Sequence, residues 1–171
     1  RKAVSRGMDY FGGPYWDHFA GQYFYVEENW HCLTAASALT YHRHDAYEQF
    51  CIDYVAFKKR LVQTEADTPH SDFWGGWAVA LIVPPHNTAT AGFGEALAAS
   101  ILVKKARNLD TEADEKTMLD VMAFLMRNQW QKDSCYACSP KVRVTGGFSE
   151  HMASPMIRID YVQHAWAALA H

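Results

Sequence analysis

Three pairs of glycines, each close to an aromatic residue, divide this chain into similar units. The pairs are Gly12–Gly13 in DYFGGPYW, Gly75–Gly76 in DFWGGWAV and Gly146–Gly147 in VTGGFSEH. They recur at intervals of roughly 60 to 70 residues, and self-similarity of this kind is typical of a repeated supersecondary unit. Because glycine adopts backbone conformations that other residues avoid, we expect the chain to turn sharply at each pair.

A short segment of small and apolar residues follows each pair after an irregular stretch. The three segments are NWHCLTAASAL (29–39), NTATAGFGEAL (87–97) and IDYVQHAWAAL (159–169), and each ends in Ala-Leu. They are apolar nearly all round, which predicts helices that are buried on all sides. Glu95 stands out in the second segment, since a buried charge needs a partner. We expect an arginine or a histidine from another unit to pair with it.

Two longer amphipathic segments lie between the small-residue segments. Residues 46–63 and 111–130 each carry an apolar stripe at helical spacing beside charged positions, which predicts half-exposed helices. In the second, Thr111 is the expected N-cap, with Asp114 three residues on in a weak capping box. Buried and half-exposed helices therefore alternate along the chain. An inner and an outer ring of helices would produce that alternation, whereas a helix bundle produces a weaker version of it.

The second and third glycine pairs share a longer pattern: a helix end, a glutamine, a polar loop and then Gly-Gly-aromatic. It runs through RLVQTEADTPHSDFWGGW (60–77) and FLMRNQWQKDSCYACSPKVRVTGGF (124–148). This pattern resembles the repeat of the α/α-toroid superfamily, which includes terpenoid cyclases, prenyltransferase β-subunits, complement-type thioester domains, six-hairpin glycosidases and polysaccharide lyases. The resemblance extends over most of the chain as a pattern and is not a close match to any one family.

The resemblance implies an all-α fold, in which an array of helical hairpins surrounds a central axis. This chain holds about half the hairpins of a closed toroid. We therefore expect residues 1–171 to form a single toroid-like domain that is a fragment or half of a larger ring, or an open version of one. The chain starts at Arg1 rather than Met, which fits a processed product or a fragment. A further chain or domain would complete the ring.

Composition and charge narrow the function classes. The chain is 49% hydrophobic and 20% charged, as is normal for a globular protein. Its net charge is -3 and no basic patch stands out, so we expect no nucleic-acid partner. The longest apolar run, 77–85, is far too short to span a membrane, and we expect no membrane partner. Four cysteines are too few for a disulfide scaffold, and the cellular compartment stays open.

If the units form a ring, the loops that lead into the inner helices meet at one mouth, where acids, histidines and a tyrosine suit acid–base chemistry. The catalytic candidates are Glu28, His86, Asp160, Tyr161 and His164. The substrate-binding candidates are Trp30, His31, Arg158 and Trp74. Each has a structural alternative: Asp160 is equally suited to be the N-cap of the last helix, for example, with His164 as a hydrogen-bonded core residue.

Metal sites form a separate hypothesis. Cys135 and Cys138 form a C-x-x-C pair, and His42 and His44 form H-x-H, which together would suit zinc. A disulfide or two free thiols are the alternatives for the cysteines. The zinc pattern of the prenyltransferases is incomplete, since no cysteine follows Asp160 two residues later. We therefore assign no metal and no cofactor, and keep a metal-binding protein as an alternative.

Among the families of the superfamily, those that act on carbohydrates fit this sequence best, because the motifs of the other families are absent or incomplete. The thioester run Gly-Cys-Gly-Glu-Gln and the Asp-rich motif of triterpene cyclases are absent, whereas aromatic residues make up 14% of the chain and many lie in predicted loops. Aromatic and polar side chains together bind small polar molecules. The sequence thus favours an enzyme, or part of one, that acts on a carbohydrate or uronate-type substrate as a hydrolase, lyase or epimerase. The alternative from another class is a non-catalytic helical scaffold that binds a protein or peptide.

Overall fold

The structure is a computed structural model, and it describes residues 1–21, 29–80, 82–132, 134 and 143–170. These residues form an all-α fold. The first helix, α1 (Lys2–Tyr10), continues through a π-helical turn (Phe11–Tyr15) into α2 (Trp16–Gly21). The other helices are α3 (Asn29–Ala38), α4 (Asp45–Lys59), α5 (Asn87–Ala106), α6 (Glu112–Asn128) and α7 (Ile159–Ala170). A short 3-10 turn (Ser71–Phe73) lies between α4 and α5, and the described residues contain isolated bridges but no β-strand.

Helix α5 is the centre of the fold. Helices α3, α4, α6 and α7 all pack against it. Every residue from 87 to 101 is buried, as the small-residue pattern predicts. Its alanines and glycines leave room for these neighbours: a β-carbon at Gly94 would lie 3.2 Å from side-chain carbons of both Ala168 and Val121. The cost of glycine in a helix, about 1 kcal/mol, is thereby offset by close packing.

Helices α3 and α7 are only half buried, so the prediction of all-round burial is wrong for them. Trp30 on α3 is 57% exposed, and Ile159 on α7 is 89% exposed. An apolar composition permits burial on every side, but burial also requires a neighbour on every side. In the described part of the chain, both helices have α5 on one side and an open face on the other.

Helices α3 and α5 run parallel to each other. Asn29, at the start of α3, lies against Gly92 and Glu95. One turn or more further on, Leu33 and Ala36 line the same small pocket as α5 residues 99 and 102. Successive positions on α3 therefore meet successive positions on α5, and both helices begin at the same end of the fold.

Two of the three glycine pairs are sharp turns. Gly75 and Gly146 have φ angles of 83° and 85°, in the left-handed region that favours glycine. The prediction is wrong for the first pair, which lies inside the π-helical turn between α1 and α2. There the missing side chain serves close packing, because a β-carbon at Gly12 would lie 2.8 Å from the backbone of Ala46.

The predicted amphipathic helices are confirmed as α4 and α6, but the capping box at α6 is not formed. Thr111 is the N-cap, and its hydroxyl bonds the side chain of Glu115. Asp114 is buried and pairs with Lys59 of α4 and Lys104 of α5. Burial raises the pKa of Asp114, but the hydrogen bonds from the two lysines outweigh it and hold the pKa below its ordinary value. This carboxylate therefore joins three helices.

A disulfide joins α3 to α4. It links Cys32 and Cys51, which are both fully buried, with their Cα atoms 4.9 Å apart. The cross-link holds the start of α3 against the core. Cys135 and Cys138, the predicted C-x-x-C pair, lie outside the described residues.

Candidate functional site

A buried carboxylate lies near the middle of the central helix, α5. Glu95 on α5 is 1% exposed. Asn29 of α3 donates a hydrogen bond from Nδ2 to Glu95 Oε2 over 2.5 Å. From α7, His164 Nδ1 lies 3.1 Å from Oε2 and 3.3 Å from Oε1. The expectation that Glu95 pairs with an arginine or histidine of another unit is confirmed.

The His164 ring connects this carboxylate to the surface. Its side chain is 15% exposed, and its ring centroid lies 5.8 Å from that of Trp30, edge to face. We call Asn29, Trp30, Glu95 and His164 the buried-carboxylate site. It lies between α3 and α7, with α5 as its floor, and it unites two of the predicted site residues, Trp30 and His164.

A second polar group lies at the start of α5. His86, the N-cap residue, has Nε2 3.2 Å from Oε1 of Glu150, and its ring centroid is 6.1 Å from that of His151. The backbone amide of Asn87 donates to the carbonyl of Glu150, and its side-chain amide donates to the carbonyl of Ser149. These bonds hold the loop around Glu150 against the start of α5.

An open cleft of about 550 Å³ borders this group. We call it the α5-start cleft, and its lining residues are Trp77, Ala78, Val79, Val83, Pro84, His86 and Glu150. Helical rise is about 1.5 Å per residue, so the nine residues from His86 to Glu95 separate the two groups by about 13 Å along α5. They are two sites, not one.

The remaining predicted residues lie elsewhere. Arg158 and Asp160 form an exposed pair at 2.9 Å, and Arg158 also stacks over Tyr161, which is buried. Attraction to Asp160 raises the pKa of the Arg158 guanidinium. His31 Nδ1 lies 2.7 Å from the hydroxyl of Tyr47. These residues are paired within their own neighbourhoods and do not converge on one pocket.

Two further predicted residues lie apart from both sites. Trp74 donates from its indole to the carbonyl of Thr68 within its own loop. Glu28 lies outside the described residues.

The described residues hold no group of three or more histidines, cysteines or acids that is arranged for a metal ion. His44 instead pairs with Asp9 through Nε2 and accepts from the backbone of Tyr47 at the start of α4. No described helix is long and apolar enough to cross a membrane.

Two residues of these sites escaped the sequence analysis. Glu150 and His151 stand in the loop after the third glycine pair, and nothing in their spacing from His86 indicates contact. The signal that could have identified them is their position in the loop before α7, which corresponds to the loop 77–86 before α5. Asn29 was identified only as the first residue of the small-residue segment 29–39, not as a site residue.

Comparisons of the chain with protein families, with curated proteins and with solved structures find no match. The geometry defines an all-α protein in which a partly buried histidine is held by a buried carboxylate.

Proposed function

We propose that the protein is an enzyme that performs acid–base chemistry on a small hydroxylated substrate of the carbohydrate or uronate type, with His164 as the general base. The observation that carries this proposal is the hydrogen bond between His164 Nδ1 and the fully buried carboxylate of Glu95.

With Glu95 ionised, as the proposal requires, this bond sets the tautomer of His164. An ionised carboxylate can only accept hydrogen bonds, so Nδ1 carries a proton. In the neutral imidazole, Nε2 then presents a lone pair, and no described residue forms a hydrogen bond with it. A carboxylate that orients an imidazole in this way is a recurrent arrangement in enzymes that use histidine as a base.

Asn29 provides a second hydrogen-bond donor to the Glu95 carboxylate. A buried carboxylate with too few donors would be costly. The Asn29 amide supplies a second donor from another helix, so the carboxylate is held from both sides. The imidazole can therefore take up and release a proton without displacing its orienting partner.

Trp30 supports the choice of substrate class. Its indole is largely exposed and adjoins His164, so an apolar face lies next to the proposed base. A flat apolar surface beside hydrogen-bonding groups suits a ligand that has both apolar and hydroxylated faces.

We also propose that the helices belong to an α/α-toroid-like array. The parallel arrangement of α3 and α5, with α4 following α3 and α6 following α5, supports this. Helices from a further chain or segment would cover the open faces of α3 and α7 and deepen the groove at the buried-carboxylate site. Sedimentation analysis tests one form of this: a monomer at all concentrations would exclude completion by a second copy.

The experiment for the catalytic proposal is a turnover assay on glycan and uronate oligosaccharides, scored for new reducing ends and for unsaturated products. With an active substrate in hand, His164→Gln should lower kcat by about 10²- to 10⁴-fold. Trp30→Ala should raise KM with little change in kcat. His70→Gln, in the exposed loop before the 3-10 turn, is the matched histidine control. Full activity of His164→Gln would refute the assignment.

A peptide-binding scaffold is the second candidate, and one observation favours it. An apolar groove of about 510 Å³ lies between α5 and α6. Leu102 and Leu119 line it, and both are at least half exposed. Leu119→Lys would abolish peptide capture if the groove is the binding site, and would leave turnover at His164 unchanged.

A further inference from the structure

We propose that a cleft beside the third glycine turn binds an amphipathic helix supplied by a partner chain. The cleft has a volume of about 390 Å³ and lies between that turn and the exposed side of α7. We call it the third-turn cleft, and its lining residues include Arg143, Gly146, Gly147, Ile157, Val162 and Trp166. In the preceding unit of the chain, the corresponding surface is covered by a helix.

The second and third glycine turns are built alike. In the second turn, Gly75–Gly76 exchanges two backbone hydrogen bonds with Gln63, of 2.8 and 2.9 Å. In the third turn, Gly146–Gly147 exchanges two bonds of the same lengths with Trp130. The first glycine of each pair is left-handed, with φ angles of 83° and 85°. Each turn leads into a small-residue helix, α5 or α7, so the two units repeat one backbone structure.

The packing inside each turn is also repeated. A β-carbon at Gly76 would overlap the ring of Pro85, and one at Gly147 would lie 3.1 Å from Cδ1 of Ile157. Pro85 and Ile157 each stand two residues before the helix that their unit leads into. The same position of each unit therefore fills the same space beside its second glycine.

The two units differ in what covers the first glycine. Helix α6 covers Gly75, where a β-carbon would overlap the backbone carbonyl of Asp120. Arg127 of α6 also donates a hydrogen bond to the carbonyl of Trp74 over 2.5 Å. A β-carbon at Gly146 would meet no heavy atom of the described residues within 4 Å. The third-turn cleft therefore corresponds to the position that α6 fills in the preceding unit.

The side of α7 that faces the cleft is apolar and defines how a helix can meet it. Val162 is half-buried, and Trp166 is 53% exposed. Trp166 is the eighth residue of α7, as Gly94 is of α5, and Gly94 packs against Val121 of α6. A helix in the third-turn cleft therefore contacts the Trp166 indole, whereas α6 reaches the α5 backbone. Tryptophan is among the residues that contribute most to binding at interfaces.

Charge determines the polar residues of the partner helix. Arg143 is exposed, and among the described residues that line the cleft it alone is charged. Arg158, the neighbour of Ile157 in sequence, is already paired with Asp160. An acidic residue beside the apolar stripe of the partner would lie opposite Arg143, which favours the choice of partner and its rate of association more than the affinity. The partner is therefore a helix with apolar residues at helical spacing and flanking acids.

The test is binding of a fluorescent peptide to the full chain, measured by anisotropy. The probe has the sequence of residues 111–130, because α6 fills the equivalent position and combines an apolar stripe with acids. We expect saturable binding, and the same peptide with Phe124→Asp should bind about tenfold more weakly or worse. In the ¹⁵N-labelled chain, the peptide should shift the amide signals of Gly146 and Val162, whereas that of Gly75, which the protein's own α6 covers, should stay unchanged.

Matched variants on the protein locate the contact. Val162→Lys puts a charge in the apolar part of the cleft and should weaken peptide binding by about tenfold or more. Gln163→Lys, at the next and exposed position of α7, is its control and should bind as the wild type does. Arg143→Glu should weaken binding by about fivefold at low ionic strength, the upper range for an exposed ion pair. Lys116→Glu, on the exposed side of α6, is the control for charge.

The inference rests on the proposed helical array, which it makes specific to one surface, and not on the proposed base. His164→Gln should bind the peptide as the wild type does, so failure of the catalytic proposal and failure of this one are distinguishable. No saturable binding, unchanged affinity in Val162→Lys, or shifts confined to α5 and α6 would each overturn the proposal. Self-association of the chain that Val162→Lys abolishes would make the occupant a second copy and would also overturn it.

Discussion

The two sharp glycine turns offer a matched test of how this fold is held together. Gly75 and Gly146 have nearly the same backbone conformation, with φ near +84° in both. Their surroundings differ. A β-carbon at Gly75 would overlap the backbone carbonyl of Asp120 on α6, whereas one at Gly146 would meet no heavy atom of the described residues within 4 Å. Alanine at the two positions therefore separates backbone strain from steric overlap.

The expected costs follow from these two contributions. A side chain in the left-handed region costs about 1 to 2 kcal/mol, and this is the whole effect for Gly146→Ala. Gly75→Ala adds the cost of pushing its loop away from α6, which for overpacking is typically about 1 to 3 kcal/mol. The loop resists that shift, since the amide of Gly75 donates to the carbonyl of Gln63 over 2.8 Å. We expect a total loss of about 2 to 5 kcal/mol for Gly75→Ala.

The assay is urea unfolding followed by helical circular dichroism, with equal m values required before the free energies are compared. Gly7→Ala is the control, because Gly7 lies in α1 with ordinary φ, and a β-carbon there would meet no described heavy atom within 4 Å. It should gain about 0.5 to 1 kcal/mol from better helix propensity. If Gly146→Ala loses as much stability as Gly75→Ala, contact with α6 does not constrain the turn at Gly75, and the reasoning is refuted.

Three further changes test other parts of the fold. Asp114 has a folded-state pKa below its unfolded value. The stability that its ionised carboxylate contributes is therefore present above about pH 4 and is lost as the pH falls through the folded-state pKa. Asp114→Asn should be less stable than the wild type at neutral pH and should lose less stability on acidification, as measured by urea midpoints against pH. Reduction of the Cys32–Cys51 disulfide, or Cys51→Ser, should cost about 3 kcal/mol by loop-closure entropy, measured with and without reductant. Trp77→Phe removes the indole donor to the carbonyl of Lys58 and should cost about 1 to 3 kcal/mol in the same unfolding assay.

Local pattern was enough to predict most helices. The segment 87–97 begins where α5 begins, and 111–130 closely matches α6, because apolar spacing and N-cap residues act within one helix. The surroundings of each helix were not predictable in the same way. Nothing in 159–169 differs in kind from 87–97, yet α5 has neighbours on all sides and α7 does not.

The same limit explains the sites. The need of Glu95 for a partner is a local property, since a charge among small apolar residues is costly wherever the helix lies. The partner itself is not a local property. The contact of His164 with Glu95 and that of His86 with Glu150 both depend on how distant segments of the chain pack against α5. The first glycine pair shows the same limit. Its sequence resembles the other two turns, but Gly12 lies in a helical turn that packs closely against Ala46.

The position of Glu95 in the most buried helix ties the proposed catalysis to the stability of the fold. Removing His164 with alanine would leave a buried carboxylate with one donor fewer, and a lost buried hydrogen-bond partner costs about 1 to 3 kcal/mol. A loss of activity in that variant would then report unfolding as much as chemistry. Glutamine at 164 has an amide that can still donate to Glu95 but has no basic nitrogen. A variant that keeps the fold and loses turnover therefore isolates the proton transfer, which makes His164→Gln the decisive substitution at this site.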